Sequence, residues 1–250
     1  MPPDTHFDKL ADWFESEIYG SSKGYIRLNV LWRDLLAALP ELEKGGLSVL
    51  DAGGGLGQVS QRLAQLGHQI TLAEPSQEML GRASEAFAEA SLSERVTFVH
   101  SDIQSLSATQ YDLVLNHAVL EWVAEPKNVL GKLLTLVKPG RYLSLLFYNR
   151  NAAVFKRIVE AKFAVARDVL ADKRIGDAQP LDPNSVSEWL KSAHFSIQSR
   201  SGIRMFHDHI LADLRTPESL KELLELEFDL RQTEPFASLA QHLHLMARAA

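Results

Sequence analysis

Asp51-Ala-Gly-Gly-Gly-Leu-Gly57 is the stretch that decides the fold. It follows a short apolar run at residues 47–51 and precedes a helical pattern over residues 58–66. Glycine allows a backbone to turn tightly and to approach a ligand without interference from a Cβ atom. A strand, a glycine-rich turn and a helix in this order are typical of the nucleotide-binding loop of an α/β protein. The stretch therefore predicts both the fold class and the position of a ligand site.

Strand and helix patterns alternate along the chain on the C-terminal side of this loop. Strands separated by helices predict a mostly parallel sheet with right-handed crossovers, flanked by helices on both faces. Two later strand patterns bring the sheet to seven strands. The predicted strands are residues 47–51, 69–74, 95–100, 111–116, 142–148, 195–201 and 242–248, and the helices between the first five are 58–66, 76–90 and 126–137.

The two flanking regions depart from this alternation. We expect two N-terminal helices over residues 8–40, broken at residues 19–24, and one long helix over residues 150–173. The helical region at 150–190 is predicted to be an insertion over the active site. All of residues 1–250 are predicted to form a single domain, because an α/β domain of this length commonly has one core.

The glycine spacing separates two classes of nucleotide loop. The G-x-G-x-x-G pattern of NAD-binding proteins, started at Gly53 and Gly55, would need its third glycine where Gln58 stands. That mismatch disfavours a nicotinamide oxidoreductase. The observed D-x-G-x-G-x-G pattern instead resembles motif I of class I methyltransferases. This resemblance implies a Rossmann-like fold and S-adenosyl-L-methionine as the cofactor.

Three further positions follow predicted strands, at the sheet edge where ligands bind. Glu74 is predicted to accept hydrogen bonds from ribose hydroxyls; the alternative is a solvated acid before a turn. Asp102 is predicted to face the adenine, beside Ile103, or to cap a helix. His117 is predicted to flank the cofactor or the acceptor, or to pack beneath a helix.

The composition excludes several kinds of protein. The chain has no cysteine, so disulfides, thiolate metal sites and a cysteine nucleophile are absent. It has neither an apolar stretch near 18 residues nor a signal peptide, so we expect a cytoplasmic protein that is not embedded in a membrane. Its histidines lack metal-site spacing, so no metal is expected. The net charge is −6, yet residues 149–174 hold seven Lys/Arg against three Asp/Glu.

Several segments, the glycine loop among them, resemble the bacterial tRNA 5-carboxymethoxyuridine methyltransferases. They run in order from residue 18 almost to the end of the chain. This resemblance implies methyl transfer to the carboxylate of 5-carboxymethoxyuridine, the wobble nucleotide in the anticodon loop of certain tRNAs, giving the methyl ester. The segments are IYGSSKGYIR (18–27), VLDAGGGLG (49–57), HAVLEWVA (117–124), LLFYN (145–149), GIRMFHD (202–208) and LLELE (223–227).

The resemblance also implies a set of cofactor contacts. The arginine of the N-terminal motif is Arg27, which we assign to the carboxylate of the cofactor. The adenine contacts fall near Ile103 and Gln104, with Asp102 in contention one position earlier. The complete predicted set is Arg27, Asp51, Gly53, Gly54, Gly55, Glu74, Asp102, Ile103, Gln104 and His117.

No general base is expected, because an acceptor carboxylate with a reference pKa near ~4 is already ionised at neutral pH. The chain must instead position that carboxylate. The candidates are Lys23, Arg204 and His207, with Tyr19 and Tyr148 as neutral donors. Two other functions remain open from the sequence: a methyltransferase for a free small-molecule carboxylate, and a non-enzymatic module that only binds the cofactor.

Overall fold

The computed structural model describes residues 21–250, and its centre is a seven-stranded sheet. The strands are β1 (Ser48–Ala52), β2 (Gln69–Glu74), β3 (Val96–His100), β4 (Tyr111–His117), β5 (Val137–Tyr148), β6 (Phe195–Ile203) and β7 (His242–Ala249). The α-helices are α1 (Ser22–Ala38), α2 (Gln58–Gln65), α3 (Gln77–Glu89), α4 (Pro126–Thr135), α5 (Arg150–Val159), α6 (Phe163–Leu170), α7 (Pro183–Ser192), α8 (Pro217–Leu230) and α9 (Phe236–Leu239).

The strand order is β3-β2-β1-β4-β5-β7-β6. Strands β1 to β5 are parallel, whereas β7 runs antiparallel to both β5 and β6. The prediction of a mostly parallel, seven-stranded Rossmann-like sheet with flanking helices is therefore confirmed. The order reverses at β1, where β2 lies on one side and β4 on the other, and ligands bind at such reversals in α/β sheets.

Strand β1 lies in the middle of the core and is buried on both faces. Val49 packs in the apolar cluster on one side of the sheet, with Leu113 of β4, whereas Leu50 packs in the cluster on the other side. Successive side chains of a strand point to opposite faces. A strand covered on both faces therefore needs apolar side chains at successive positions, as Val49 and Leu50 show.

The N-terminal helix of the described region begins earlier than the sequence predicted. Helix α1 starts at Ser22, and the Ser21 hydroxyl caps it by accepting the Gly24 N–H at 3.3 Å. The predicted break at residues 19–24 is therefore wrong for residues 22–24, because a serine cap and a buried glycine start the helix inside that segment. The first of the two predicted N-terminal helices lies outside the described residues.

The predicted long helix over residues 150–173 is wrong as a single element. It is two helices, α5 and α6, separated at Ala161, whose φ is +56°. The Lys162 N–H donates to the Arg157 carbonyl at 2.8 Å, a bond spanning five residues of the kind that ends helices. The apolar spacing continues through the break, so the pattern alone could not reveal it.

The helices of residues 21–250 include none with the length and apolar character needed to cross a bilayer.

Gly202 of β6 allows a close approach that an alanine would block. A Cβ atom at this position would lie 2.7 Å from Ala240 Cβ and 2.8 Å from Ala237 Cα. We expect Gly202→Ala to lower the free energy of unfolding by about 1–3 kcal/mol, as overpacking does. Gly131→Ala in α4, where nothing lies within 4 Å, is the control and should raise it by up to about 1 kcal/mol. Urea denaturation measures both, and equal effects of the two substitutions would contradict this packing.

Candidate active site

A cavity of about 340 Å³ lies at the carboxyl ends of the parallel strands. Ligand pockets commonly have volumes of about 300–1,000 Å³, so it has the size of a small-molecule site. All ten residues predicted to contact the cofactor line this one cavity: Arg27, Asp51, Gly53, Gly54, Gly55, Glu74, Asp102, Ile103, Gln104 and His117. The structure thus brings together residues that the sequence spreads over 91 positions, from 27 to 117; their individual roles stay predictions.

The turn after β1 is held against the neighbouring strand by two hydrogen bonds. The N–H groups of Gly53 and Gly54 both donate to the carbonyl of Ala73, at 2.8 and 3.2 Å. Gly53 has φ +77°, and a Cβ atom on it would lie 2.6 Å from Val119 Cγ2. A larger residue would therefore clash and distort the turn. This geometry leaves the backbone bare on the cavity side, which suits a ligand that must approach closely.

The Glu74 carboxylate is buried at the end of β2 and anchored at both oxygens. Oε2 accepts the Gly55 N–H at 3.0 Å, and Oε1 accepts the Ser76 N–H at 3.0 Å. A carboxylate oxygen can accept more than one hydrogen bond, so this anchoring is compatible with additional ligand hydroxyls. The glycine loop and the predicted ribose acid are thus one hydrogen-bonded unit.

Asp51 is buried where β1 meets the cavity. Burial raises its pKa to about 6, the nearby charge of Glu74 adds to that rise, and the Ser60 hydroxyl opposes it. That hydroxyl donates to Asp51 Oδ2 at 2.6 Å. Because Ser60 lies on α2, the bond ties the strand to the helix that follows the loop.

The segment after β3 forms the part of the cavity wall that is predicted to contact the adenine. Ile103 is buried, whereas Asp102 and Gln104 are exposed, and all three line the cavity. Asp102 Oδ1 also accepts the Ser105 N–H at 2.7 Å. The alternative prediction, that Asp102 caps a helix, is wrong, because a turn and no helix follows it; Asp102 closes that turn and also lines the cavity.

The other end of the cavity, which we call the acceptor end, is formed by Glu121, Tyr148, Arg204, Gln241 and His242. The sequence nominated only Tyr148 and Arg204 of these five. Tyr148 hydrogen-bonds Gln241, and burial raises the pKa of its hydroxyl. The Tyr148 and His242 rings lie 6.0 Å apart, centroid to centroid.

Arg204 is the buried cation of the acceptor end. Its Nη2 donates to Asp208 Oδ2 at 3.0 Å, and burial lowers the pKa of the guanidinium. Hydrogen bonding from His207 and the charge of Arg204 hold the pKa of Asp208 well below its usual range, against the effect of burial. Arg204 Nε has no partner within residues 21–250. Its backbone φ of +62° is costly for a residue with a side chain, and such strain concentrates at functional sites.

Lys23 and His207 do not line the cavity, which corrects their assignment as acceptor contacts. His207 is buried, with Nε2 bonded to Ser22 Oγ at 2.9 Å and Nδ1 to Asp208 Oδ1 at 3.0 Å. It therefore holds Asp208, which in turn pairs with Arg204, rather than a ligand. Tyr19 lies outside the described residues.

Glu121 is one of the three acceptor-end residues that the sequence reasoning missed, with Gln241 and His242. It is 2% exposed and lines the cavity, and burial raises the pKa of its carboxyl to about 7. Its Oε2 has no hydrogen-bond partner among residues 21–250. A glutamate inside the apolar run Ala118-Val-Leu-Glu-Trp122 was the signal that could have identified it.

The chain is similar to known proteins in sequence and in fold. The family model described as a methyltransferase domain matches residues 50–145. The tRNA 5-carboxymethoxyuridine methyltransferase of Escherichia coli (strain K12) is 37% identical over 98% of this chain and 96% of its own length. A ubiquinone biosynthesis O-methyltransferase of Xanthomonas campestris pv. campestris (strain B100) is 30% identical over 80% of this chain and 83% of its own.

Solved structures share the fold at lower identity. Magnesium protoporphyrin IX methyltransferase from Synechocystis PCC 6803, with bound SAH, has a TM-score of 0.66 at 20% identity, covering 98% of this chain and 96% of that one. The [4+2]-cyclase SpnF has a TM-score of 0.59 at 21% identity, covering 88% and 80%. Because a cyclase and a methyltransferase share this architecture, the fold alone does not decide the chemistry.

The raised pKa of Glu121 predicts a pH-dependent stability. The folded chain binds this proton more tightly than the unfolded chain does, because the folded pKa is about 7 and the reference value is 4.5. The stabilisation is fully present below the unfolded pKa and is lost as pH rises through about 7. We therefore expect Glu121→Gln to stabilise the cofactor-free protein at pH 8, by up to roughly 3 kcal/mol, and to have little effect at pH 5.

Thermal unfolding at the two pH values measures this difference. Glu125→Gln is the control, because Glu125 is exposed and lies four residues further along the chain. It should change the melting temperature equally little at both pH values. If Glu121→Gln changed the melting temperature by the same amount at pH 5 and pH 8, the raised pKa of Glu121 would be contradicted.

Proposed function

Because the chain belongs to the family of the tRNA 5-carboxymethoxyuridine methyltransferases, we propose that it methylates the carboxylate of 5-carboxymethoxyuridine at the tRNA wobble position, forming the methyl ester. The chain is an S-adenosyl-L-methionine-dependent methyltransferase. The observation that supports a carboxylate acceptor is Arg204, a buried guanidinium at the end of the cavity away from the glycine loop. Guanidinium groups bind carboxylates by charge-assisted hydrogen bonds.

The cavity wall fits the cofactor. Gly53, Gly54 and Gly55 line the cavity with backbone alone, and Glu74 presents a buried, anchored carboxylate one strand away. In this proposal Arg27 holds the carboxylate of the cofactor, Glu74 its ribose hydroxyls, and the wall of Asp102, Ile103 and Gln104 its adenine. When bound, the cofactor supplies a methyl group already activated on a sulfonium.

The residues of the acceptor end then bind and orient rather than move protons. A carboxylate is ionised at neutral pH, so no group has to remove a proton from it. In this proposal Arg204 and the hydroxyl of Tyr148, which both line the cavity, hold one of its oxygens and leave the other for reaction. Correct orientation of reacting groups contributes up to roughly 7–11 kcal/mol to catalysis. Exclusion of water favours a reaction in which opposite charges disappear.

The proposal also includes the identity of the molecule that carries the acceptor carboxylate. The E. coli relative is named for tRNA, and we infer that the acceptor of this chain is the anticodon loop of a tRNA that carries 5-carboxymethoxyuridine. A cytoplasmic location follows from that acceptor. Two alternatives make different predictions: a methyltransferase for a free small carboxylate would not need the RNA, and a cofactor-binding module would transfer nothing.

The acceptor is tested by transfer of label from methyl-labelled S-adenosylmethionine. We expect label in tRNA carrying the carboxymethoxy group and none in the same tRNA lacking it. The labelled product should be hydrolysed by mild base, because it is an ester. Label transferred equally well to the free 5-carboxymethoxyuridine nucleoside would favour the small-molecule alternative, and no transfer to either would overturn the proposed function.

Arg27→Ala tests the proposed contact with the cofactor. We expect binding of S-adenosylhomocysteine to weaken by about 1.5–3 kcal/mol, the usual contribution of a hydrogen bond to a charged group. Arg33→Ala on the same helix is the control. Arg33 pairs with exposed Glu225 at 2.8 Å, away from the cavity, and its loss should leave affinity unchanged. Calorimetry measures both variants, and equal affinities for Arg27→Ala and the wild type would remove this role.

A further inference from the structure

A continuous hydrogen-bonded chain runs through the protein interior from α1 to the cavity. Asp34 Oδ2 is 2.6 Å from His244 Nδ1, and His244 Nε2 is 2.8 Å from Ser144 Oγ. Ser144 Oγ is in turn 2.8 Å from His117 Nε2. The residues come from α1, β7, β5 and the end of β4. We call Asp34, His244, Ser144 and His117 the relay.

The relay is shielded from solvent except where it reaches the cavity. Asp34, Ser144 and His244 are fully buried, and the His117 ring lines the cavity. The rings of His117 and His244 meet edge to face, with centroids 6.0 Å apart. Buried polar networks of this kind are costly unless every member is hydrogen-bonded, so each bond restricts its neighbours.

The Asp34 end of the relay is an ionised carboxylate. Burial by itself would raise the pKa of Asp34, but hydrogen bonds from His244, Arg231 and Ser201 lower it below its usual value. Arg231 Nε donates to Oδ1 at 2.7 Å, and the Ser201 hydroxyl donates to the same oxygen at 2.8 Å. An ionised carboxylate only accepts hydrogen bonds. His244 must therefore carry a proton on Nδ1 and donate it to Asp34.

The charge balance determines the direction of the remaining bonds. Arg231 already cancels the charge of Asp34, so a second cation at fully buried His244 would leave a net buried charge, which is costly. A neutral His244 accepts at Nε2 from the Ser144 hydroxyl. The Ser144 oxygen then accepts from His117, whose proton is on Nε2.

We propose that the relay holds His117 in the tautomer with its proton on Nε2, so that Nδ1 is a hydrogen-bond acceptor for a ligand in the cavity. Asp34, His244 and Ser144 are positioning residues in this arrangement. Nδ1 has no hydrogen-bond partner among residues 21–250, and the ring lies on the cavity wall. A ligand group that donates a hydrogen bond can pair with Nδ1, whereas a ligand group that only accepts hydrogen bonds cannot.

The neighbouring charge identifies the class of donor. Burial lowers the pKa of the His117 imidazole, and Arg27 lies close enough for its charge to lower it further. A guanidinium beside a neutral imidazole acceptor matches the two groups of an α-amino acid, the carboxylate and the ammonium. The inference therefore rests on the proposed function and assigns His117 Nδ1 to the α-ammonium of the cofactor.

The tautomer is tested directly by ¹⁵N–¹H correlation spectra of the histidine rings, without cofactor or RNA. The spectrum of a His117→Gln variant identifies the His117 signals by their disappearance. We expect the wild type to show the proton on Nε2. Ser144→Ala removes the middle of the relay with little change in volume and should give a mixture of both tautomers. Ser199→Ala, a serine on β6 whose buried hydroxyl has no partner within residues 21–250, is the matched control and should change nothing.

The consequence for binding is measured by calorimetry with S-adenosylhomocysteine, which keeps the α-ammonium. We expect Ser144→Ala to weaken binding roughly three- to tenfold, the effect of one lost or misdirected hydrogen bond. Asp34→Asn, which can donate as well as accept, should redistribute the His117 tautomers in the same way if it folds.

Two outcomes would overturn the inference: a wild-type His117 with its proton on Nδ1, or a Ser144→Ala variant with a lower melting temperature but an unchanged tautomer. Neither outcome depends on methyl transfer to tRNA. A failure of the relay is therefore distinguishable from a failure of the proposed function.

Discussion

The two hydrogen bonds that join the glycine loop to the Ala73 carbonyl are the interaction on which the site depends. They turn the chain sharply at the end of β1, in the middle of the sheet. The Val119 side chain packs against Gly53 on the other side of this turn. The next residue of β2 is Glu74, which receives the Gly55 N–H. One turn thus determines the position of the bare backbone and of the acidic side chain beside it. The strands on either side then bring their own carboxyl ends to the same edge.

Ionisable groups in the cavity wall and directly behind it have pKa values that their environments shift in opposite directions. Burial raises the pKa of Asp51 to about 6 and that of Glu121 to about 7, whereas the pKa values of Asp208 and Arg204 are lowered. Groups shifted in this way concentrate at functional sites. Asp51 and Glu121, the two acids with raised pKa values, also reduce stability, because a buried acid without a full set of partners favours the unfolded chain at neutral pH. The acceptor end therefore retains charges that a core selected for stability alone would not contain.

The residues that distinguish this chain within its fold lie outside the glycine loop. Arg27 comes from α1, Arg204 follows β6, and His242 begins β7. The fold, which a [4+2]-cyclase shares, does not by itself determine the second reactant. The flanking elements close the acceptor end, and the similarity to the E. coli tRNA 5-carboxymethoxyuridine methyltransferase extends through them, over 98% of this chain.

The sequence by itself determined the alternating strands and helices, the seven-stranded sheet and ten residues that prove to line one cavity. The elements and most of these residues depend on local patterns: apolar runs, glycine spacing and polar residues at strand ends. Arg27 and Gln104 came only from the resemblance to the tRNA 5-carboxymethoxyuridine methyltransferases. Local patterns could not reveal the break at Ala161, since the apolar spacing passes through it. Only the tertiary structure decided which histidines and acids meet. Asp34 and His244 are 210 positions apart, and a histidine inside an apolar strand has the same spacing whether it reaches a carboxylate or only fills space. The partners of buried polar groups are set by packing between distant elements, which local spacing does not encode.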